Sequence, residues 1–408
     1  MNRKRLLNWL VRISLFAVIL TLGTAAALVA GETQGMAMAD LSDAPVQVVT
    51  TAGQGSTLYA DVRSDSSAAG IYRSNDNGLT WQAVSAGPGV PLNDLVVHPI
   101  NEKVLFAGSE GGPVASTSNL WRSDDGGQTW RKFYLSLPTN PDGLIPAVTA
   151  LATDPHQPGA LYVGTAGQGV YRFDVGSDGH GYSLVGNVSL YDANVKGLQV
   201  AADSRIYALT NKGLFVNSGG DWDKLEALPE TPVSLAVAPS NAQIIYAGTP
   251  SSGVYRSTDG GQSWESLSAG LDMVPGVALR VTALVVDEQN PERVAVATAY
   301  GLGSKLAGGG LFESLNGGRQ WAKLGDAEDV VKKLSINQGV VYAATGKGLT
   351  PYGEPSAEDQ PVMPIPALQP LANPNGLQLA ILILTLILAG LVLLGRAEWL
   401  RRQVSALV

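Results

Sequence analysis

The stretch SNDNGLTW at residues 74–81 recurs three times farther along the chain and decides the fold. Two of the later copies keep its pattern, Ser-x-Asp-x-Gly-x-Thr/Ser-Trp, while the last has Asn316 at the Asp position and Gln320 at the hydroxyl position. The later copies are SDDGGQTW at 123–130, STDGGQSW at 257–264 and SLNGGRQW at 314–321. The positions that define the motif are Ser74, Asp76, Gly78, Trp81, Ser123, Asp125, Gly127, Trp130, Ser257, Asp259, Gly261, Trp264, Asn316 and Trp321. A motif that recurs in this way indicates a repeat architecture.

Each copy lies between two short runs in which apolar and polar residues alternate, a pattern typical of half-buried strands. The central Asp-Gly-Gly or Asp-Asn-Gly favours a tight turn with positive φ, and the Asp carboxylate can accept backbone N–H groups of that turn. The Trp is expected to fill the gap between neighbouring sheets. With one or two carboxylates per copy and no downstream bidentate Glu, a calcium loop is not expected. The octapeptide therefore predicts a structural hairpin.

The octapeptide resembles the Asp-box, or bacterial neuraminidase repeat. Asp-boxes occur in sialidases, sortilin ectodomains, xyloglucan-degrading glycosidases and the propellers that help assemble photosystem II. The resemblance extends over about residues 46–352 and implies a β-propeller in which each box joins the two outer strands of a blade. Those families have unrelated activities, so the resemblance implies the fold and leaves the function open.

A second phrase recurs upstream of the boxes and supplies another strand of the repeat. Its copies are VLFAGS (104–109), LYVGT (161–165), IYALT (206–210), IYAGT (245–249) and VYAAT (341–345). An inner strand such as 148–153 precedes it, so that one repeat has four strands, as a propeller blade does.

The spacing of the box tryptophans, together with Trp222 in a shortened box, gives six units up to residue 324, and three further strands follow in 330–352. We therefore predict an all-β fold, a single propeller over residues 45–353 with seven four-stranded blades. Six blades with an appended segment is the alternative. The last blade is expected to borrow a strand from a flanking segment, which would cover an exposed sheet edge.

Both ends of the chain are apolar and flanked by basic residues. An uncharged run of 19 residues at 377–395 would span about 28 Å as a helix, enough for a bilayer core. The predicted divisions are an N-terminal hydrophobic helix at 1–30, a linker at 31–44, the propeller, a Pro-rich stalk at 354–376, a transmembrane helix at 377–395 and a cytoplasmic tail at 396–408. The first segment is either an anchor or a cleaved signal peptide. The positive-inside rule places the tail in the cytoplasm and the propeller on the extracytoplasmic side of the cell membrane.

The charge of the chain is concentrated in the predicted propeller. Residues 31–377 carry 20 Lys and Arg against 34 Asp and Glu, which predicts repulsion from nucleic acid. The chain has no cysteine, so disulfides and thiolate metal sites are excluded. No cofactor is expected either, because the sequence contains no nucleotide-binding loop.

Two classes of enzyme make specific demands on the sequence. The Arg-Ile-Pro phrase that carries the first substrate-binding arginine of sialidases does not occur here. Arg73, Arg122, Arg172 and Arg256 instead recur next to the box position, and we expect their stems to pack on the blade with their heads in water. A two-carboxylate glycosidase would need an acid and a base about 5–10 Å apart; the candidates are Asp94, Asp142, Asp272 and Asp326.

The remaining candidate is a protein-binding surface. By propeller geometry the long insertions at 110–118, 134–146, 268–279 and 300–309 share the face opposite the boxes, and they contain exposed apolar residues typical of partner contacts. The candidate contact residues are Leu144, Ile145, Met273, Val274 and Leu302. We therefore predict a membrane-tethered propeller that acts as an assembly scaffold by binding a protein, such as a component of a membrane complex. A carbohydrate-active enzyme or glycan-binding propeller is the alternative.

Overall fold

The computed structural model describes residues 38–39, 41–51, 55–63, 69–113, 119–133, 139, 142–176, 182–185, 190–272, 277–302 and 305–353. These residues form strands, turns and bends, with no α-helix among them, which confirms the all-β class. The helices predicted at 1–30 and 377–395, the stalk and the tail lie outside the described residues. No helix in the described part of the chain has the length and hydropathy needed to cross a membrane.

The strands form antiparallel sheets in which consecutive strands pair, and we number the sheets in chain order. Sheet 1 contains β2 (Val46–Thr51), β3 (Leu58–Val62), β4 (Gly70–Ser74) and β5 (Trp81–Ser85), with β1 (Met38–Ala39) added outside β5. Sheet 2 contains β6 (Leu92–His98), β7 (Asn101–Ser109), β9 (Leu120–Ser123) and β10 (Arg131–Lys132). A separate ribbon pairs β8 (Gly112–Pro113) with β11 (Leu144–Ile145). Sheet 3 contains β12 (Val148–Thr153), β13 (Ala160–Gln168), β14 (Val170–Asp174) and β15 (Tyr182–Leu184).

The remaining sheets repeat the same order. Sheet 4 contains β16 (Tyr191–Val200), β17 (Ile206–Thr210), β18 (Gly213–Asn217) and β19 (Trp222–Leu225). Sheet 5 contains β20 (Ser234–Val237), β21 (Ile245–Gly248), β22 (Val254–Ser257) and β23 (Glu265–Ser266). Sheet 6 contains β24 (Leu279–Val286), β25 (Val294–Leu302), β26 (Lys305–Ser314) and β27 (Ala322–Asp326). Sheet 7 contains β28 (Val331–Asn337), β29 (Val340–Thr345) and β30 (Leu349–Tyr352). The end of β13 also pairs with β16, which links sheets 3 and 4.

Hydrophobic cores lie between consecutive sheets, at interfaces that we call seams. In seam 2–3, Phe133 packs edge-on against Phe106 and Phe173, with ring centroids 5.9 and 6.4 Å apart. Each of the other seams has its own apolar cluster, including seam 7–1, where Val340 and Tyr342 pack with Val46 and Leu58. The last sheet therefore packs against the first in the same way as consecutive sheets pack against each other, which closes the ring. Truncation of a fully buried phenylalanine such as Phe133 should cost about 3–5 kcal/mol.

The outer edge of sheet 7 was expected to gain a strand from a flanking segment, and the structure shows a different arrangement. The flanking segment pairs with sheet 1, where Met38 lies opposite Gln82. At sheet 7, Leu41 O accepts the Leu349 N–H at 2.8 Å and Ser42 O lies against Gly348. Peptide groups alternate in direction along an antiparallel strand, so the next outward-facing residue is Pro351, which has no N–H to offer. Within the described residues no fourth strand is added to sheet 7, and its edge is blunted by Pro351 instead.

The turns of the sheets lie on two opposite faces of the ring. On the box face, the octapeptide boxes contact the turn between the first two strands of their sheet or the residues beside it, as when Gly260 N donates to Gln243 O at 3.1 Å. On the long-loop face, the connections between sheets meet the loops between second and third strands. The β8–β11 ribbon and the hydrogen bond from Tyr300 Oη to Asp272 O at 2.8 Å are two such contacts.

Candidate binding site

The three full boxes share one hydrogen-bonded turn between the third and fourth strands. In the second copy, Asp125 Oδ1 accepts Ser123 Oγ at 2.8 Å and Thr129 N at 2.9 Å, and Thr129 Oγ1 donates to Asp125 Oδ2 at 2.5 Å. Ser123 Oγ in turn accepts Gly127 N at 2.8 Å. The carboxylate therefore accepts backbone and side-chain donors of its own turn, which is a structural role. Equivalent bonds join Ser74, Asp76 and Thr80, and Ser257, Asp259 and Ser263.

The box tryptophans pack at the seam with the preceding sheet. Trp81 belongs to the core of seam 7–1 and Trp222 to that of seam 3–4. Trp130, Trp264 and Trp321 pack against the cores of seams 1–2, 4–5 and 5–6. The expectation that these side chains fill gaps between sheets is confirmed.

A set of buried tyrosines joins neighbouring sheets, and sequence reasoning missed it. The hydroxyls of Tyr59, Tyr207 and Tyr246 donate to backbone carbonyls of the following sheet at 3.1–3.3 Å. Tyr342 does the same to Asn77 across seam 7–1. Each tyrosine is the aromatic residue of the recurring strand phrase or its counterpart in sheet 1. That periodicity could have indicated a shared inter-sheet contact.

Arginines stack on this set and cross the same seams. Arg256 lies 5.7 Å from the Tyr246 ring centroid and pairs with Glu292 of sheet 6. Only 4 % of Arg256 is exposed, so the expectation that the head of this arginine lies in water is wrong. The stacked tyrosine and the carboxylate from the next sheet replace its hydration. Arg73 similarly lies over Tyr59 and 3.7 Å from Glu102.

The candidate contact residues on the long-loop face have different environments. Leu144 is 39 % exposed, whereas Ile145 is buried in the core of seam 2–3 and is a packing residue. Leu302 ends β25, where it pairs with Lys305. Met273 and Val274 lie outside the described residues. The long hairpin of β25 and β26 also presents Leu306, which is 42 % exposed.

Exposed apolar side chains are not confined to that face. Leu79, Ile100 and Leu315 lie on the box face and are 66–74 % exposed. Exposure alone therefore does not select the long-loop face as the binding surface. What distinguishes that face is the β8–β11 ribbon and the extended hairpin of sheet 6.

The four candidate carboxylates do not form one constellation. Asp94 is buried on β6, where it accepts Leu151 N at 2.9 Å and Lys333 Nζ at 3.0 Å from sheets 3 and 7. Asp272 and Asp326 are brought together by Lys323, whose Nζ lies 2.8 and 2.7 Å from their oxygens. Hydrogen bonds that Lys323 donates to Asp272 and then to Asp326 raise the pKa of Lys323, so the amine stays charged between them. Asp142 is exposed beside β11.

The family of BNR/Asp-box repeats matches residues 121–132 and 255–266. The chain carries BNR/Asp-box repeats. Xyloglucanase Xgh74A of Acetivibrio thermocellus is 26% identical over 230 residues, which are 48% of this chain and 22% of that protein. The chain thus spans about a fifth of the length of this curated relative.

Two solved structures have the same fold at low identity. The xyloglucanase from Xanthomonas campestris gives a TM-score of 0.56 at 18% identity, covering 76% of this chain and 52% of its own. YCF48 bound to D1 peptide gives 0.54 at 14% identity, covering 78% of this chain and 95% of its own. These likenesses establish a propeller fold shared with proteins of different activity.

Proposed function

We propose that residues 45–353 form a seven-bladed propeller that is tethered to a membrane, lies on its extracytoplasmic side and binds a protein as an assembly scaffold. The observation that carries the proposal is the construction of the long-loop face. Its loops are built into the β8–β11 ribbon and the extended β25–β26 hairpin, which hold Leu144 and Leu306 in the open. Preformed apolar projections reduce the ordering entropy that a partner must overcome.

The size of the matched structures favours the same proposal. YCF48, which is described as bound to D1 peptide, is covered almost completely by a single ring. In the Xanthomonas campestris xyloglucanase, the ring matches only 52% of the chain. The ring of the described residues therefore corresponds to nearly the whole of a peptide-bound protein, which supports a peptide-binding face.

Charge substitutions on the two faces test the scaffold. Leu144→Glu and Leu306→Glu should reduce recovery of a partner with the tagged full chain from detergent-solubilised native membranes. Leu79→Glu and Leu315→Glu on the box face are matched controls, being more exposed leucines. We expect all four variants to unfold at the wild-type urea concentration, because exposed sites contribute little to the core. Equal recovery with both pairs would contradict binding through the long-loop face.

Protease accessibility tests the tether. Protease added to intact cells should degrade the propeller and leave a fragment that contains the basic tail at 396–408. Permeabilised cells serve as the control in which the tail is also degraded. Protection of the propeller in intact cells would contradict the proposed topology.

A second candidate function is binding or hydrolysis of a glycan. It is favoured by the 26% identity to Xyloglucanase Xgh74A and by the proximity of Asp272 and Asp326. The permanent Lys323 counter-ion is unfavourable for a general acid, which must carry a proton. Release of reducing ends from xyloglucan by the full chain, abolished in both Asp272→Asn and Asp326→Asn, would favour the enzyme over the scaffold.

A further inference from the structure

A polar pocket of about 340 Å³ opens on the box face in seam 3–4. Sheet 3 contributes Tyr162 and Arg172 to its wall, and sheet 4 contributes the turns at 203–206 and 217–220. The pocket lies on the face opposite the long-loop surface, so binding of a ligand in it is independent of the proposed function.

The pocket exists because the box of sheet 4 is short. Residues 217–222 take the place of an octapeptide with only six residues. A Cβ added to Gly126 in the second box would lie 3.3 Å from Tyr59 and 3.4 Å from Arg73 of the preceding sheet. A Cβ on Gly219 or Gly220 of the short box would have no neighbour within 4 Å. The short turn therefore stops before the tyrosine and arginine of sheet 3.

Tyr162 consequently differs from its equivalents. The corresponding tyrosines in four other sheets donate their hydroxyl proton to a carbonyl of the next sheet. The Arg172 guanidinium, which can only donate, lies beside the Tyr162 hydroxyl. No backbone carbonyl of the described part of sheet 4 accepts its proton, so the proton is available to a group in the pocket.

Arg172 differs from its equivalents in the same way. Arg73, Arg122 and Arg256 each lie within 3.7 Å of a carboxylate oxygen. No carboxylate among the described residues pairs with Arg172, and the nearby carboxylate of Asp203 is held by Arg205 at 2.7 Å. The lining has two guanidinium groups and one carboxylate, and a second carboxylate, that of the buried Asp154, accepts Ser204 Oγ at 3.1 Å behind it. Both carboxylates thus have other partners, and Arg172 has no carboxylate of its own in the described part of the chain.

We propose that this pocket binds one carboxylate group, which pairs with Arg172 and accepts the hydroxyl proton of Tyr162. The ligand would take the position that Glu292 takes beside Arg256 in seam 5–6. The volume lies at the lower end of the range for ligand pockets, about 300–1,000 Å³, and suits a sugar acid or one acidic side chain. A planar guanidinium recognises a carboxylate by paired charge-assisted hydrogen bonds.

Calorimetric titration of the purified full chain tests the pocket with two pairs of probes. D-glucuronate is compared with D-glucose, and N-acetyl-aspartate N-methylamide with its asparagine analogue. The wild type should bind at least one carboxylate with a dissociation constant on the order of 1 mM, and neither neutral analogue. The carboxylate that binds more tightly identifies the source as sugar acid or acidic side chain. Binding of neither carboxylate, or equal binding of the neutral analogues, overturns the proposal.

Variants locate the binding. Arg172→Gln and Tyr162→Phe should each weaken carboxylate binding by about tenfold or more, because each removes a donor to a charged group. Their urea midpoints should stay close to the wild-type value, since neither donor joins the two sheets. Arg256→Gln is the matched control, which should lower the midpoint and keep the affinity. If Arg172→Gln does not fold, Tyr162→Phe decides, and unchanged affinity in that folded variant overturns the proposal.

Discussion

The boxes of sheets 5 and 6 are neighbours that build one turn from different chemistry. In sheet 5, Asp259 Oδ1 accepts Ser257 Oγ at 2.7 Å and Ser263 N at 2.9 Å, and its Oδ2 accepts the Ser263 hydroxyl at 2.5 Å. The turn therefore centres on a charge that is held by three donors.

In sheet 6 an amide pair replaces the carboxylate and the hydroxyl. Asn316 Oδ1 accepts Ser314 Oγ at 3.0 Å and Gln320 N at 2.9 Å, while its Nδ2 donates to Gln320 Oε1 at 3.2 Å. The fourth copy departs from the motif at two positions, yet Asn316 and Gln320 compensate each other by bonding together. The turn requires an acceptor at the third position and a complementary partner at the seventh, and it does not require a charge.

The largest difference is expected from removal of the third residue of each box. Asp259→Ala leaves a backbone N–H and two hydroxyls without their acceptor, which should lower the free energy of unfolding by about 1–3 kcal/mol. The same loss is expected for Asp76→Ala and Asp125→Ala. Asn316→Ala removes neutral hydrogen bonds and should cost about 1 kcal/mol. Urea unfolding of the full chain, followed by far-UV circular dichroism, measures these losses; no loss in any of the Asp variants would contradict the structural role of the boxes.

Exchange of one chemistry for the other should reveal compensation. Asp259→Asn or Ser263→Gln alone mismatches the pair, whereas the double variant should reproduce the arrangement of Asn316 and Gln320. We expect the double variant to recover about 1 kcal/mol relative to the sum of the single changes, as contacting residues commonly do. The control is Asp259→Asn with Gln262→Ala, whose second change keeps the backbone donor of residue 262 and alters only a side chain; the same recovery there would contradict a specific pair.

Acidification should destabilise the box of sheet 5, which contains a carboxylate, more than the box of sheet 6, which contains an amide pair. Hydrogen bonds from Ser263 lower the pKa of Asp259 from 3.8 to about 2. A carboxylate with a lowered folded-state pKa stabilises the fold above its unfolded pKa, and this contribution is lost as the pH falls from about 4 to about 2. The Asp259→Asn, Ser263→Gln variant should therefore lose less stability than the wild type over this interval. Urea midpoints at several pH values measure the difference, and identical pH profiles would show that Asp259 binds protons equally in both states.

The sequence predicted the repeated four-stranded unit well, because most units contain a box or a remnant of one, which can be recognised as a turn. It identified all strands of the seventh unit at 330–352 within one or two residues of β28, β29 and β30. It did not predict where the flanking segment pairs, since Met38 and Leu41 carry no pattern that distinguishes sheet 1 from sheet 7. The tyrosine and arginine contacts were missed because they join different repeats, whereas sequence periodicity describes one repeat at a time.

The candidate site was predictable only in part, for a related physical reason. Leu144 and Ile145 are adjacent in a Pro- and Gly-containing loop, yet the ribbon with β8 turns the first outward and the second into seam 2–3. Alternation of side chains on a strand decides this, and the two-residue β11 is too short to be recognised in the sequence. The pocket in seam 3–4 depends on a two-residue difference in box length, which the sequence contains but whose consequence appears only when two sheets are packed.

The smallest expected effect concerns the indole of the box tryptophan. In the full boxes the indole N–H stays within its own turn, since Trp264 Nε1 donates to Gly261 O at 3.1 Å and Trp81 and Trp130 make the equivalent bond. In the two altered boxes it crosses the seam: Trp321 Nε1 donates to Leu267 O and Trp222 Nε1 to Val185 O, both at 2.7 Å.

Replacement of these tryptophans by phenylalanine keeps a ring in the seam and removes the N–H. Trp321→Phe should cost about 1 kcal/mol, because it breaks a bond between two sheets and leaves the Leu267 carbonyl without that donor. Trp264→Phe should cost less, about 0.5 kcal/mol, because the bond it removes lies within one turn and joins no second sheet. Far-UV circular dichroism is the appropriate probe, since both variants alter tryptophan fluorescence. Trp222→Phe should lose about as much unfolding free energy as Trp321→Phe. If its loss is instead as small as that of Trp264→Phe, the indole bond across the seam adds no stability, and full and altered boxes differ in stability only through the carboxylate.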